Sequence, residues 1–313
     1  MTRLIVSHYM PADHGTHRDF ILPWTERVAG ACPTLSFDIH CEGSSLGLLE
    51  NQFDQVMSGA VDIAHSPANL PPGRFPLTQL INLPFLVENP NEAARRLMMA
   101  LDGPLRAEFT PLNVLALHAD SGGVLHMRDT RIDDVSDLAG KRIRSPAGAT
   151  AEALAALGAE PVHLLPPAIG EAARSGAIDG AVMAWDVLAY SRTDEIFRHH
   201  YSDIFYLSPL YFVMNANAFA RLTPDQRSAL EAQSGTGLAA RLGSYWDAWS
   251  APGRALTAQE GHTLQPLPRT VLAALRAAAG PARERQVRRL IDAGHAEAGA
   301  VARMFDASSD HHR

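Results

Sequence analysis

The sequence predicts two similar α/β lobes. Three observations carry that prediction: a strand and helix order that occurs twice, helix-to-strand junctions spelled alike in both copies, and two long apolar strands placed to cross between lobes. The first copy opens with a strand at Leu4–His8. A helix follows with Phe20, Trp24 and Val28 at i, i+4 spacing, and Pro23 is expected to bend it. Strand Leu35–His40 precedes a second helix, which carries Leu46, Leu49, Phe53, Val56 and Met57 on one face and stops at Gly59. Strand Val61–His65 completes the copy.

The second copy reads strand Arg142–Ser145, helix Ala149–Leu157, strand Pro161–Leu164, helix Pro167–Arg174, a stop at Gly176, and strand Ile178–Met183. Ser58-Gly59-Ala60-Val61-Asp62-Ile63-Ala64 in the first is answered by Ser175-Gly176-Ala177-Ile178-Asp179-Gly180-Ala181 in the second. The crossings are Asn113–His118 running into Gly123–Arg128, and Ile204–Asn215 interrupted by Pro209; two crossings make a hinge. The expected division is residues 1–121 with about 209–250 for lobe I, and 122–208 with about 251–300 for lobe II. Thr223-Pro224 marks a helix start, with Thr as N-cap and Pro in the first turn. The rest is mostly helical, with a short strand near His262–Gln265 and a long helix through Tyr245, Trp246 and Trp249.

Composition narrows the function. At 313 residues with 46% apolar content the chain supports two separate cores. A net charge of −7, with no cluster of cations, argues against a nucleic-acid partner, and no helix-turn-helix segment is evident. Lys141 is the only lysine. Cys32 and Cys41 have neither metal-ligand spacing nor the number for a disulfide framework. No apolar run reaches the length of a membrane span. Met1 leads into a strand at once, without a leader pattern, which leaves open both an exported protein whose leader is removed and one that stays inside.

In open α/β sheets, ligands bind beyond the carboxyl ends of the strands. Applied to both copies, that rule selects Tyr9-Met10, Glu42–Ser45 and His65-Ser66 in the first, and Arg144-Ser145, Leu165–Pro167 and Met183–Trp185 in the second. Arg144 ends a strand where a helix begins, and its planar fork suits a carboxylate; the bland alternative is a surface ion pair. Tyr9, Trp185, Phe212 and Met183 are candidate apolar walls or core residues, with Trp185 favoured as a wall because it directly follows a strand end. His65 and His126 are candidate neutral donors to a ligand oxygen, or simply packed residues. Gly43-Ser44-Ser45-Leu46-Gly47 fits the nucleophile pattern of a serine hydrolase, yet only about 40 residues precede Ser45, too few for the strands and oxyanion loop that such enzymes build first. A polar turn capping the next helix is the preferred reading.

These residues, in this order, resemble the solute-binding proteins of tripartite ATP-independent periplasmic (TRAP) transporters. The resemblance rests on Ser58–Ala64, Pro72-Gly73-Arg74-Phe75-Pro76, Leu83-Pro84-Phe85, Asp137-Leu138-Ala139-Gly140-Lys141-Arg142-Ile143-Arg144, Ser175–Gly180, and Phe212-Val213-Met214-Asn215 before Leu222-Thr223-Pro224, so it spans roughly residues 4–260. It implies a type II periplasmic-binding-protein fold that closes on an organic acid in an interlobe cleft and hands it to a membrane permease. It implies a binding protein rather than an enzyme, at a periplasmic location; some members of the family coordinate a metal beside the substrate, but Trp185-Asp186 is only a faint echo of such a site, so no metal, no cofactor and a monomer are expected. The family's carboxylate-binding Arg corresponds to Arg144. An Asn common after the Asp-Gly of the second repeat is replaced by Ala181-Val182-Met183-Ala184-Trp185, and a position often Arg in sugar-acid binders is Val124. Both departures favour a less polar ligand, an aromatic or branched monocarboxylate. A cytoplasmic ligand-sensing module is the alternative use of such a fold.

Overall fold

A computed structural model describes residues 1–306 of the chain. It opens with β1 (Thr2–His8), α1 (Leu22–Ala31), β2 (Leu35–His40), α2 (Gln52–Ser58), β3 (Ile63–Pro67), α3 (Pro90–Leu101), α4 (Arg106–Phe109) and β4 (Asn113–Ala119). There follow β5 (Val124–Met127), β6 (Arg142–Ser145), α5 (Ala149–Ala156), β7 (Glu160–His163), α6 (Pro166–Arg174), β8 (Gly180–Met183), α7 (Trp185–Tyr190) and β9 (His199–Tyr201). The remainder is β10 (Pro209–Met214), α8 (Ala216–Ala220), α9 (Pro224–Ala232), α10 (Gly235–Leu256), β11 (Thr263–Gln265), α11 (Arg269–Asp292) and α12 (Ala298–Phe305).

The chain divides into two compact units. Unit 1 holds Met1–Gln79, Pro90–Asp120 and Ser208–Trp246; unit 2 holds Leu80–Asn89, Ser121–Leu207 and the chain from Asp247 on. The segment 80–89, expected with the first lobe, goes with unit 2 because Phe85 packs there. Its N–H donates to the carbonyl of Phe205 at 2.8 Å and it joins a core with Leu125, Ile143 and Tyr206.

The unit 1 sheet runs β2-β1-β3-β10-β4, with β1 parallel to β2 and β3, and β10 antiparallel to β3 and β4. The unit 2 sheet runs β11-β9-β5-β8-β6-β7, with β6 parallel to β7 and β8, and β5 antiparallel to β8 and β9. The strand order 2-1-3 of the first copy is thus matched by 7-6-8 in the second, each followed by one antiparallel strand.

The junctions spelled alike do the same work in both sheets. Gly59 and Gly176 take positive φ, 80° and 73°, to turn the chain out of α2 and α6. The aspartate three residues later then caps the neighbouring strand: Asp62 accepts the N–H of Ile5 in β1 at 2.8 Å, and Asp179 accepts that of Arg142 in β6 at 2.9 Å. Each N–H lies just before the ladder with β3 or β8 begins, so the carboxylate satisfies a donor that the strand would leave orphaned.

Pro23 lies where a π-helical turn at Thr16–Ile21 passes directly into α1, so the helix changes its winding at the proline. Another expectation changes. The stretch Ile204–Asn215 is not one strand: Tyr206 makes an isolated bridge with Gly123, and the ladder of β10 starts at Pro209. Thr223 and Gln226 form a reciprocal capping box at the start of α9, with Pro224 at its first position. Both cysteines are free. Among the described residues, no helix is long and apolar enough to cross a membrane.

Candidate functional site

Arg144 lies in β6 of unit 2 between β7 and β8, and is only 6% exposed. Its Nε donates to the carbonyl of Leu164 at 2.9 Å, just beyond β7, and its Nη1 donates to the carbonyl of Val182 in β8 at 2.8 Å. Nη1 also reaches the Tyr206 hydroxyl at 3.5 Å, and that hydroxyl donates to the same Val182 oxygen at 3.2 Å. The side chain is therefore gripped from both flanking strands by dipoles. Among the described residues no carboxylate pairs with it and Nη2 has no acceptor, so a permanent charge is nearly removed from water without a counter-charge. Such an arrangement is costly unless an anion completes it.

Trp185 opens α7 directly after β8, as its position predicts, yet it is 4% exposed and packs in a core with Val124, Met183, Leu188 and Phe197. Helix α10 closes on it: a Cβ at Gly253 would stand 1.9 Å from the Trp185 carbonyl oxygen, so only glycine fits there. His126 lies edge-on to the indole, with ring centroids 4.8 Å apart. Met183 and His126 are likewise fully buried.

His126 belongs to a relay. Its Nε2 is 3.2 Å from the Met183 carbonyl and its Nδ1 is 2.8 Å from Nδ1 of His200; His200 Nε2 is 3.0 Å from His262 Nδ1, and Arg198 Nη1 is 2.6 Å from His262 Nε2. A guanidinium only donates and a carbonyl only accepts, so with neutral rings every proton points from Arg198 toward Met183. Burial keeps the rings neutral: desolvation holds His126 well below the usual range, lowers His200 to about 3 and lowers His262. Successive carbonyls of β8 thus serve two side chains, Val182 holding Arg144 and Met183 holding His126.

In unit 1, Tyr9 follows the end of β1 and is half-buried. His65 and Phe212 face each other across β3 and β10 and are fully buried. Phe212 packs edge-on against Phe20 and Trp24 at 5.1 and 4.9 Å, a core position. The Nε2 atoms of His65 and His118 are 3.0 Å apart, and Trp246 Nε1 donates to His118 Nδ1 at 3.0 Å. Burial lowers His118 to about 3 and His65 well below its usual range. Ser45 is exposed in a turn that folds back on Cys41, where Ser44 N–H and Oγ both donate to the Cys41 carbonyl at 3.1 and 2.8 Å. No described residue hydrogen-bonds the Ser45 hydroxyl, and neither the helical turn at Leu49–Asn51 nor α2 takes a side-chain cap from this segment.

Sequence reasoning reached Arg144 from its place at a strand end. It missed Tyr206, Gly123, Gly253 and the carbonyls of Leu164 and Val182, which act through contacts between segments distant in the chain.

Two α/β units of one plan, one holding a buried guanidinium on its central parallel strand, are the architecture of a receptor for small solutes. The chain belongs to the bacterial extracellular solute-binding proteins of family 7, whose model matches residues 7–290. It is similar over its length to solved TRAP solute-binding proteins. A marine-metagenome protein specific for aromatic acid ligands, in complex with 3-hydroxybenzoate, is 26% identical with a TM-score of 0.88, covering 98% of both chains. One from Rhodoferax ferrireducens T118, in complex with copurified benzoate, is 26% identical with a TM-score of 0.87, again over 98% of both chains. A Bordetella bronchiseptica protein with bound (R)- and (S)-mandelate shares the fold at 23% identity and a TM-score of 0.84, over 98% of both chains. The type II periplasmic-binding-protein fold expected from the sequence is the fold found.

Proposed function

We propose that the chain captures a monocarboxylate of aromatic or apolar character and passes it to the membrane subunits of a TRAP transporter. The observation that carries this reading is the open Nη2 of Arg144. With Nε and Nη1 already engaged, the guanidinium offers its far edge to one carboxylate, and the bound anion supplies the counter-charge that the described residues lack. The apolar cluster of Val124 on β5, Met183 on β8 and Trp185 on α7 offers neither a second cation for a dicarboxylate nor an amide for a polyhydroxylated acid. The aromatic acids bound by the marine-metagenome and Rhodoferax relatives support the same class. Capture needs no covalent step, and among the described residues no base hydrogen-bonds the Ser45 hydroxyl.

A thermal-shift screen of carboxylic acids tests the reading, because a ligand bound only by the folded state raises the melting temperature. Benzoate and its hydroxylated analogues are expected to give the largest rise. Arg144→Ala should weaken the best ligand by about 2–5 kcal/mol, as for any buried charge pair that loses one partner. Equal affinity in wild type and Arg144→Ala, by calorimetry, removes Arg144 as the anchor. Sugar acids outranking aromatic acids removes the ligand class.

A further inference from the structure

We infer that Tyr206, seated on the bare backbone of Gly123, is a positioning residue that stiffens the seating of Arg144 while its free edge is offered to an anion. The inference rests on the carboxylate reading above and adds a residue which that reading does not use.

Three polar atoms form a closed triangle: Arg144 Nη1 is 2.8 Å from the Val182 oxygen and 3.5 Å from the Tyr206 hydroxyl, and that hydroxyl is 3.2 Å from the Val182 oxygen. The arginine donates to both oxygens and the phenol donates to the carbonyl, so both lone-pair sites of Val182 are used. All five guanidinium hydrogens lie in one plane. Acceptors for Nε on the β7 side and for Nη1 on the β8 side therefore fix rotation about the Cδ–Nε and Nε–Cζ bonds together. Without the hydroxyl, Nη1 keeps one acceptor for its two hydrogens, and the plane is held less stiffly on the β8 side.

The phenol is where it is because residue 123 has no side chain. Gly123 and Tyr206 pair through their backbones, with Gly123 N–H donating to the Tyr206 carbonyl at 2.9 Å and Phe205 N–H to the Gly123 carbonyl at 2.8 Å. A Cβ on Gly123 would meet Tyr206 Cζ at 2.5 Å and its hydroxyl at 2.8 Å. Gly123 does not take a positive φ, unlike Gly122 at 87°, so what it supplies is room for the ring rather than a backbone conformation. Tyr206 is 5% exposed and sits in the unit 2 core with Leu125 and Val182, which a phenylalanine ring would fill equally.

The experiment uses the full chain, with Tyr206→Phe and Gly123→Ala as variants and benzoate as the probe. Nitrogen NMR of the Arg144 side chain without ligand, identified by its loss in Arg144→Lys, is expected to show slow guanidinium rotation in wild type and faster rotation in both variants. Tyr206→Phe should keep the ligand-free melting temperature and bind benzoate about 3–10-fold more weakly, the size of one net hydrogen bond. In an Arg144→Lys background the same change should have no further effect on benzoate binding. Unchanged guanidinium rotation in Tyr206→Phe overturns the inference, as does an equal loss of affinity in the Arg144→Lys background. Wild type failing to bind benzoate would sink the carboxylate reading instead, and the ligand-free spectra would still decide the role of Tyr206.

Discussion

Units 1 and 2 repeat one skeleton and differ in what they place at equivalent points. The paired aspartates give the correspondence: Asp62 holds Ile5 and Asp179 holds Arg142, so two residues along each strand Ser7 in β1 answers Arg144 in β6. The Ser7 hydroxyl is consumed internally, 2.5 Å from the Leu46 carbonyl and 2.9 Å from Gln52 Oε1. Arg144 at the same point spends Nε and Nη1 on backbone oxygens and keeps a charged edge in reserve. One architecture thus supports a closed polar cluster in one half and, in the other, the guanidinium proposed above as the anion anchor. The fold fixes the location, and a single side chain decides whether that location has chemistry to offer.

Acid is expected to break both halves, and this is the largest effect. Burial, the first cause for each, lowers His8, His118 and His200 to about 3 and holds His65 and His126 well below the usual imidazole range. The native state therefore binds fewer protons than the unfolded chain at mildly acidic pH. Stability is full above about pH 6.5 and lost as pH falls toward the folded-state values, each such histidine contributing up to roughly 1.4 kcal/mol per pH unit. Urea unfolding followed by circular dichroism between pH 7.5 and 4.5 should show a steep loss; a flat profile would contradict the neutral buried rings. The equivalence of the two junctions can be sharpened next. Asp62→Ala and Asp179→Ala should each cost about 1–3 kcal/mol, the cost of leaving a strand N–H unsatisfied. A large cost at one site and none at the other would break the correspondence. Smallest of all is Ser45→Ala, expected to leave melting temperature and benzoate affinity unchanged; a lost esterase activity would reopen the hydrolase reading.

Much of this skeleton was legible because local signals set it. Arg142–Ser145 is read with its observed limits, and Thr223-Pro224 starts a helix through chemistry confined to four residues. The family was legible for a similar reason, since its recurring residues are mostly turns and junctions. What was not legible is non-local. Nothing near Phe85 shows that it will join the core of residues far along the chain, and nothing near Gly253 shows that its missing Cβ makes room for the backbone of Trp185. Burial misled in the same way. A tryptophan directly after a strand end looks like a pocket wall, until the helix that covers it arrives from some 65 residues later.

The position of β10 also carries a consequence for how the protein comes into being. That strand lies between β3 and β4 in the unit 1 sheet, yet its residues follow the whole of Ser121–Leu207. As the chain is synthesised, β5 to β9 are complete while the older N-terminal half still waits for the ribbon that joins its two sides. The half begun first therefore waits for a strand made after most of the other half, and until then its apolar sheet must be sheltered from other nascent chains.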